Sequence, residues 1–154
     1  MTPEERVAAL GLELPPPFAP PANFVPAVQA GILLFLSGHG PTGTGGRLLV
    51  TGRVGADLTL EQGYEAARLT ALALLGSLKE AIGELDRVER VVKLFGMVRC
   101  TPDFGNTPAV INGASDLLVA VFGERGRHAR SAVGMYELPF GMPVEVEMVV
   151  ALRD

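Results

Sequence analysis

The sequence lacks the features that mark secreted and membrane-spanning proteins. Its single cysteine, Cys100, excludes an internal disulfide bond, which fits a reducing compartment. The longest apolar stretch, near residues 32–36, has about seven residues, whereas a membrane span needs roughly 20. The opening residues MTPEERVAAL carry acidic side chains and no apolar signal region. We therefore expect a cytoplasmic protein that has no membrane partner.

Clusters of lysine and arginine are also missing. The formal net charge is −4, and the 13 basic residues are spread along the chain. A nucleic-acid-binding protein normally displays a basic stripe, because contacts with phosphates supply much of its affinity. We therefore expect no nucleic-acid partner.

Apolar residues are abundant for a chain of this size. They make up 48% of the 154 residues, and the mean hydropathy is +0.32. This length predicts a single domain over residues 1–154, with enough apolar material for a core. The high hydropathy also favours an apolar surface that other subunits cover.

The N-terminal residues 1–22 predict a short helix followed by a connector. Thr2 supplies a capping hydroxyl and Pro3 takes the first helical position, so a helix is expected over residues 2–11. The prolines of residues 14–21 predict an extended segment, because proline cannot donate to a β-ladder or sit inside a helix.

The remaining segments predict strands and two long helices. Thr59 and Gln62 have capping-box spacing, and apolar residues recur every three or four positions up to Gly83. The predicted elements are two strands within 24–37, a weaker strand in 47–55, helix 59–83, strand 88–100, helix 107–123, and strands 130–138 and 144–152. If both helices pack on one face of a single mixed sheet, the result is an α+β fold in which the other face of the sheet stays uncovered.

Most motifs favour ordinary structural roles. The loop SGHGPTGTGG lacks the Gly-Lys-Ser/Thr ending of a phosphate-binding loop and is interpreted as a turn. His39 and His128 are far apart and give no metal-ligand spacing, so no metal is expected. Ser37 and Ser131 lack the context of a hydrolase nucleophile.

Arg130, Glu145 and Glu147 form the most informative constellation. Arg130 starts one predicted strand, and the two glutamates share one face of the next strand in sequence. The guanidinium fork matches a carboxylate, and a nearby glutamate can polarise a water molecule. From the residues alone, a cross-strand salt bridge on a solvated surface is the competing interpretation.

Four segments, covering about residues 23–152, also resemble parts of one known family. FVPAVQAGILLFLSGHGP is similar to its N-terminal hairpin, and VINGASDLLVAVFG is similar to its second helix. The run from Gly63 to Phe104 resembles its central helix, strand and Asp-Phe turn. HARSAVGMYELPFGMPVEVEMVVAL resembles the C-terminal signature of the RidA/YjgF family, whose members are also called endoribonuclease L-PSP. The sequence is most like a longer subgroup with an extra N-terminal helix.

The resemblance implies a chorismate-mutase-like fold and a homotrimer with pockets between subunits. It implies a hydrolase of reactive enamine or imine intermediates, which yields a 2-keto acid and ammonia without a cofactor. Arg130 would bind the substrate carboxylate, and Glu145 would hold the attacking water. The other implied pocket residues are Phe24, Gly38, His39, Asn112 and Ala132. Three of these depart from the family, which often has tyrosine, glutamine, and cysteine or threonine at positions 24, 39 and 132.

Three functions stay open at this point. The first is the enamine/imine deaminase. The second is a trimeric small-carboxylate-binding or regulatory protein, which would keep Arg130 but would not need Glu145. The third is a ribonuclease, against which the acidic net charge argues.

Overall fold

The computed structural model describes residues 1–17 and 19–154, and residue 18 of the predicted connector lies outside them. It contains three α-helices and five strands in the described part of the chain. In chain order they are α1 (Pro3–Ala9), β1 (Ala27–Ala30), β2 (Leu33–His39), α2 (Leu60–Ile82), β3 (Val88–Arg99), α3 (Thr107–Phe122), β4 (Ala129–Met135) and β5 (Val144–Leu152).

The strands form one mixed sheet in the order β1-β2-β5-β3-β4. Neighbouring strands are antiparallel except β3 and β4, which are parallel and are connected through α3. Helices α2 and α3 pack on each other; α2 also contacts β2 and β5, and α3 contacts β3 and β4. The predicted α+β arrangement, with two long helices on one sheet face, is confirmed.

The long helices begin and end as the sequence predicts. Thr59 and Gln62 form a reciprocal capping box at the start of α2, and Gly83 ends the helix with a φ of 85°. Helix α3 starts with Thr107 and Pro108 and ends before Gly123.

Helix α1 packs beside the C-terminal end of α2. Val7 is buried, and the Glu4 carboxylate accepts hydrogen bonds from the Leu85 amide at 2.6 Å and Lys79 Nζ at 3.1 Å. These hydrogen bonds lower the pKa of Glu4, although burial opposes them as the largest single effect. The N-terminal extension is therefore joined to the body of the fold by an ionic contact as well as apolar packing.

The sheet has one buried and one open face. Along β5 the residues Val144, Val146, Met148, Val150 and Leu152 lie against the helices in the core. The alternate residues, including Glu145 and Glu147, lie on the opposite face. Large apolar side chains remain exposed in the single chain, among them Val28, Ile32, Phe35, Val92 and Val133.

The prediction of a weak strand over residues 47–55 is wrong. The segment forms only isolated bridges, one of which joins Val54 to Cys100 after β3. Gly52 and Gly55 have φ values of 132° and 96°, which L side chains rarely adopt. The chain therefore turns repeatedly here and cannot run extended.

Two other expectations need correction. An apolar run such as ILLFL, residues 32–36, predicts a strand that is buried on both faces, but Phe35 is 45% exposed while Leu34 and Leu36 are buried. Strand β4 ends at Met135 rather than Leu138, because the Tyr136 carbonyl accepts a hydrogen bond from Arg53 at 3.0 Å outside the sheet.

Candidate functional site

Arg130 is held in place by the first turns of α3. Its Nη1 atom donates to Asn112 Oδ1 at 2.8 Å and to Ser115 Oγ at 3.1 Å, and Nη2 donates to the Pro108 carbonyl at 3.3 Å. Asn112 and Ser115 are three residues apart and so share one face of the helix. These three contacts, which we call the Arg130 brace, fix the guanidinium at the edge of the sheet.

The brace uses only part of the guanidinium. Within the described residues no carboxylate lies within salt-bridge distance of Arg130, and its Nε atom has no hydrogen-bond partner. Nε and Nη2 share one edge of the planar group, and each keeps a free hydrogen. That edge matches the two oxygens of a carboxylate, so Arg130 presents an unneutralised fork for an anionic ligand.

Glu145 lies on the open sheet face against Gly38 of β2. A β-carbon at position 38 would overlap Oε2 of Glu145, so only glycine lets the carboxylate lie there. Burial raises the pKa of the Glu145 carboxyl, and the negative charge of Glu147 raises it further. A carboxylate with a raised pKa is a better proton acceptor near neutral pH.

Arg130 and Glu145 do not meet within one chain. The prediction that they lie on neighbouring strands is wrong, because β3 runs between β4 and β5. Through β3 their registers differ by three residues, since Arg130 pairs with Leu94 and Glu145 with Met97. Their Cα atoms are therefore about 14 Å apart by strand geometry.

The two side chains also point to opposite sides of the sheet. Arg130 reaches α3 on the helical side, whereas Glu145 lies on the open face. Neither Glu145 nor Glu147 forms a salt bridge with Arg130, so the cross-strand ion pair considered from the sequence is absent from the described residues.

The other predicted pocket residues divide between these two places. Asn112 and Ala132 lie beside Arg130, and the Ala132 carbonyl accepts a hydrogen bond from Thr107 at 3.1 Å. Gly38 lies beside Glu145. Phe24 is 46% exposed just before β1.

His39 is directed away from Glu145. Its Nε2 atom lies 2.7 Å from Ser77 Oγ on α2, and Nδ1 lies 2.6 Å from the Ser37 carbonyl. Burial lowers the pKa of His39 despite the hydrogen bond to Ser37. The structure therefore does not bring the imidazole together with the other predicted pocket residues.

Sequence reasoning missed Ser115 and His128 as neighbours of Arg130. Ser115 Oγ lies 2.9 Å from His128 Nε2, and His128 Nδ1 lies 2.6 Å from the Gly126 carbonyl. The spacing of Ser115 three residues after Asn112 was the available signal. It indicates a shared helix face only once Arg130 is known to contact that helix.

A shallow depression of about 220 Å³ lies on the open sheet face near Glu147. It is lined mainly by Val28, Phe35, Ser37, Lys93, Phe95 and Val149. Among the described residues no group of three or more His, Cys, Asp or Glu could hold a metal ion. Nor does that part of the chain contain a helix long and apolar enough to cross a membrane.

Comparisons with known sequences agree with this architecture. The profile of a family described as "YjgF/chorismate_mutase-like, putative endoribonuclease" matches residues 4–152. Protein TCP17 from Trypanosoma cruzi is 47% identical over 154 residues, covering 97% of this chain and 96% of the relative.

Solved structures match over almost the whole chain. Atu1372 from Agrobacterium tumefaciens, of unknown function, is 42% identical with a TM-score of 0.90, covering 98% of this chain and 92% of that one. A "putative endoribonuclease" from Shewanella oneidensis is 38% identical with a TM-score of 0.95, covering 99% and 100%. RidA from Psychrobacter, at 22% identity and a TM-score of 0.60, covers 90% and 94% and shares the fold. The predicted chorismate-mutase-like fold is confirmed.

Proposed function

Because the chain belongs to the YjgF/chorismate-mutase-like family, we propose that it hydrolyses reactive enamine or imine intermediates to a 2-keto acid and ammonia. The substrate class is a small metabolite that carries a carboxylate. The protein works as a homotrimer, and each pocket takes Arg130 from one subunit and Glu145 from the next.

The observation that carries the proposal is the separation of two incomplete half-sites. One half-site offers a braced arginine without a counter-ion, and the other offers a half-buried carboxylate beside Gly38. They lie on opposite sides of the sheet, so one chain cannot place both around a small substrate. A second copy on the exposed apolar face can bring its own half-site to the first.

The apolar open face supports this assembly. Val28 and its cross-strand partner Phe35 are 54% and 45% exposed in the single chain, which is unusual for large apolar side chains on a sheet. A closed ring of copies would bury this face while leaving the helices outside. The Arg130 edge of one copy would then approach the Glu145 face of its neighbour.

In the proposed mechanism Arg130 binds the substrate carboxylate through its free Nε–Nη2 edge. This contact fixes the imine carbon relative to Glu145 of the adjoining subunit. Glu145 accepts a proton from water while the water oxygen bonds to the imine carbon. The substrate reacts as the protonated imine, so the electron pair of the carbon–nitrogen double bond moves to a positively charged nitrogen and gives a neutral carbinolamine.

The same carboxyl completes the reaction. Protonated Glu145 returns its proton to the carbinolamine nitrogen, and the carbon–nitrogen bond breaks as ammonia leaves. Glu145 takes the hydroxyl proton as the carbonyl of the 2-keto acid forms and passes it to the departing ammonia, so one protonated imine and one water give one keto acid and one ammonium ion. The raised pKa of Glu145 suits a group that must both accept and return a proton.

An imine-lifetime assay tests this function. An amino-acid oxidase or a PLP-dependent dehydratase generates imines in place, and semicarbazide traps those that survive. We expect the protein to lower the trapped fraction and accelerate ammonia release for at least one small apolar amino acid. If imine lifetimes stay unchanged while 2-ketobutyrate still binds, the small-carboxylate-binding function replaces the deaminase.

Ribonuclease activity, which the names of relatives suggest, has less physical support. Several arginines already pair with carboxylates: Arg53 and Arg99 share Glu137, and Arg125 pairs with Asp86 at 2.9 Å. Paired arginines supply less of the phosphate attraction on which RNA binding depends. RNA cleavage that Arg130→Ala abolishes would nevertheless favour that function over the deaminase.

A further inference from the structure

The hydrogen bonds behind Arg130 can run in only one direction. The Gly126 carbonyl can only accept, so the contact at 2.6 Å requires the proton of His128 on Nδ1. In the neutral ring Nε2 is then an acceptor, and it takes the hydroxyl proton of Ser115 at 2.9 Å. The Ser115 oxygen is left with its lone pairs for Arg130 Nη1 at 3.1 Å.

This direction gives His128 an indirect role, because the ring forms hydrogen bonds with Ser115 and Gly126 and not with Arg130. If Nε2 did not accept, the Ser115 hydroxyl would be free to rotate, and its proton could face the guanidinium. The Asn112 contact alone would leave the second Nη1 hydrogen without a partner. The orientation of the arginine fork thus depends on a ring that donates no hydrogen bond to it and accepts none from it.

Burial favours the neutral ring that this chain of hydrogen bonds needs. Burial lowers the pKa of His128, and the positive charge of Arg130 lowers it further, against an opposing effect of the Gly126 hydrogen bond. Geometry alone fixes the tautomer, and the lowered pKa keeps that neutral form populated near pH 7.

We propose that His128 is a positioning residue: acting through the Ser115 hydroxyl, it fixes Arg130 so that the Nε–Nη2 edge faces a substrate carboxylate. The proposal rests on the proposed function for the identity of the ligand. The arrangement of the side chains is independent of that function, because it is present in the chain without a ligand. His128 and Ser115 therefore belong to one unit rather than making two independent contributions.

A double-mutant cycle measured by calorimetry with 2-ketobutyrate tests the unit. Ser115→Ala and His128→Leu should each weaken binding about fivefold, as expected for loss of one neutral hydrogen bond. The double variant should also lose only about fivefold, because the second change removes nothing more. His128→Gln keeps an acceptor near the Nε2 position and should bind within about twofold of the parent. A double variant about 25-fold weaker, or an unchanged His128→Leu, would overturn the proposal.

Nitrogen-resolved NMR of the Arg130 guanidinium provides a test without ligand. A braced guanidinium rotates slowly, so we expect separate Nη proton signals in the parent and in His128→Gln. These signals should merge in Ser115→Ala and in His128→Leu. Unchanged signals in both variants would disprove the positioning role even if the protein binds carboxylates. If the signals merge as expected but the parent binds no small carboxylate, the positioning role stands and the proposed function fails.

Discussion

Replacing Arg130 with alanine should abolish tight binding of small carboxylates with little loss of stability. In the parent, the guanidinium has no carboxylate partner in the described part of the chain, so its charge is available to the ligand. Losing a charge-assisted bidentate contact in a partly desolvated pocket costs about 2–5 kcal/mol. That corresponds to an affinity for 2-ketobutyrate about 30-fold to several thousand-fold weaker.

The structure also explains why Arg130→Ala should change the stability of the protein little. Arg130→Ala removes the hydrogen-bond donor of Asn112. Because Asn112 is exposed, a water molecule can replace the arginine there. Arg130→Lys should recover part of the affinity, because an ammonium group restores the charge but not the two-pronged geometry.

Calorimetry with two ligands and one control variant separates charge from general disturbance. The amide of 2-ketobutyrate lacks the carboxylate, so the parent and Arg130→Ala should bind it equally weakly. Arg127→Ala removes the same charge three residues away, where the side chain is 65% exposed and pairs with Glu124, and should change affinity little. Equal affinities of Arg130→Ala and Arg127→Ala for 2-ketobutyrate would refute the assignment of Arg130.

Three further outcomes are expected. Light scattering on a size-exclusion column should show a trimer, and a stable monomer at micromolar concentration would contradict the shared pocket. Gly38→Ala should reduce imine turnover about tenfold or more by displacing the Glu145 carboxylate, whereas Gly105→Ala, where a β-carbon meets nothing within 4 Å, should not. Glu145→Gln should raise the free energy of unfolding relative to the parent, increasingly as pH rises from about 4 to about 8. The raised pKa of Glu145 means that its favourable contribution is present below the unfolded-state pKa and is lost as pH rises through the folded-state pKa. If chemical denaturation shows the same difference in unfolding free energy between Glu145→Gln and the parent at every pH in this range, the Glu145 carboxyl is not desolvated.

Local sequence signals predicted most of the fold. The capping residue Thr59 and the terminal Gly83 mark the two ends of α2. The alternation of core-facing and open-face residues along 144–152 predicted β5 and its two faces. Such signals act between residues close in sequence. They failed at residues 47–55, where β-branched and apolar residues suggested a strand but Gly52 and Gly55 turn the chain.

The candidate site was harder to predict because it depends on strand order. Strands consecutive in sequence are usually neighbours in the sheet, an expectation that places Arg130 and Glu145 side by side. The actual order inserts β3 between β4 and β5, and hydrophobic patterns do not encode that choice. The family resemblance supplied Arg130 and Glu145 as candidates, whereas the structure supplied their separation and the contacts of Ser115 and His128.

The central claim is that Arg130 and Glu145 act together from different subunits, and subunit mixing tests it directly. Arg130→Ala and Glu145→Gln chains, each inactive alone in the imine assay, are co-expressed in equal amounts so that they assemble at random, and all trimers are assayed together. A pocket is then complete when it takes arginine from one variant and glutamate from the other, and each choice is correct half of the time. We predict recovery of about one quarter of the parent's activity. Mixed trimers no more active than the separate variants would show that both residues serve the same chain, which would contradict the account.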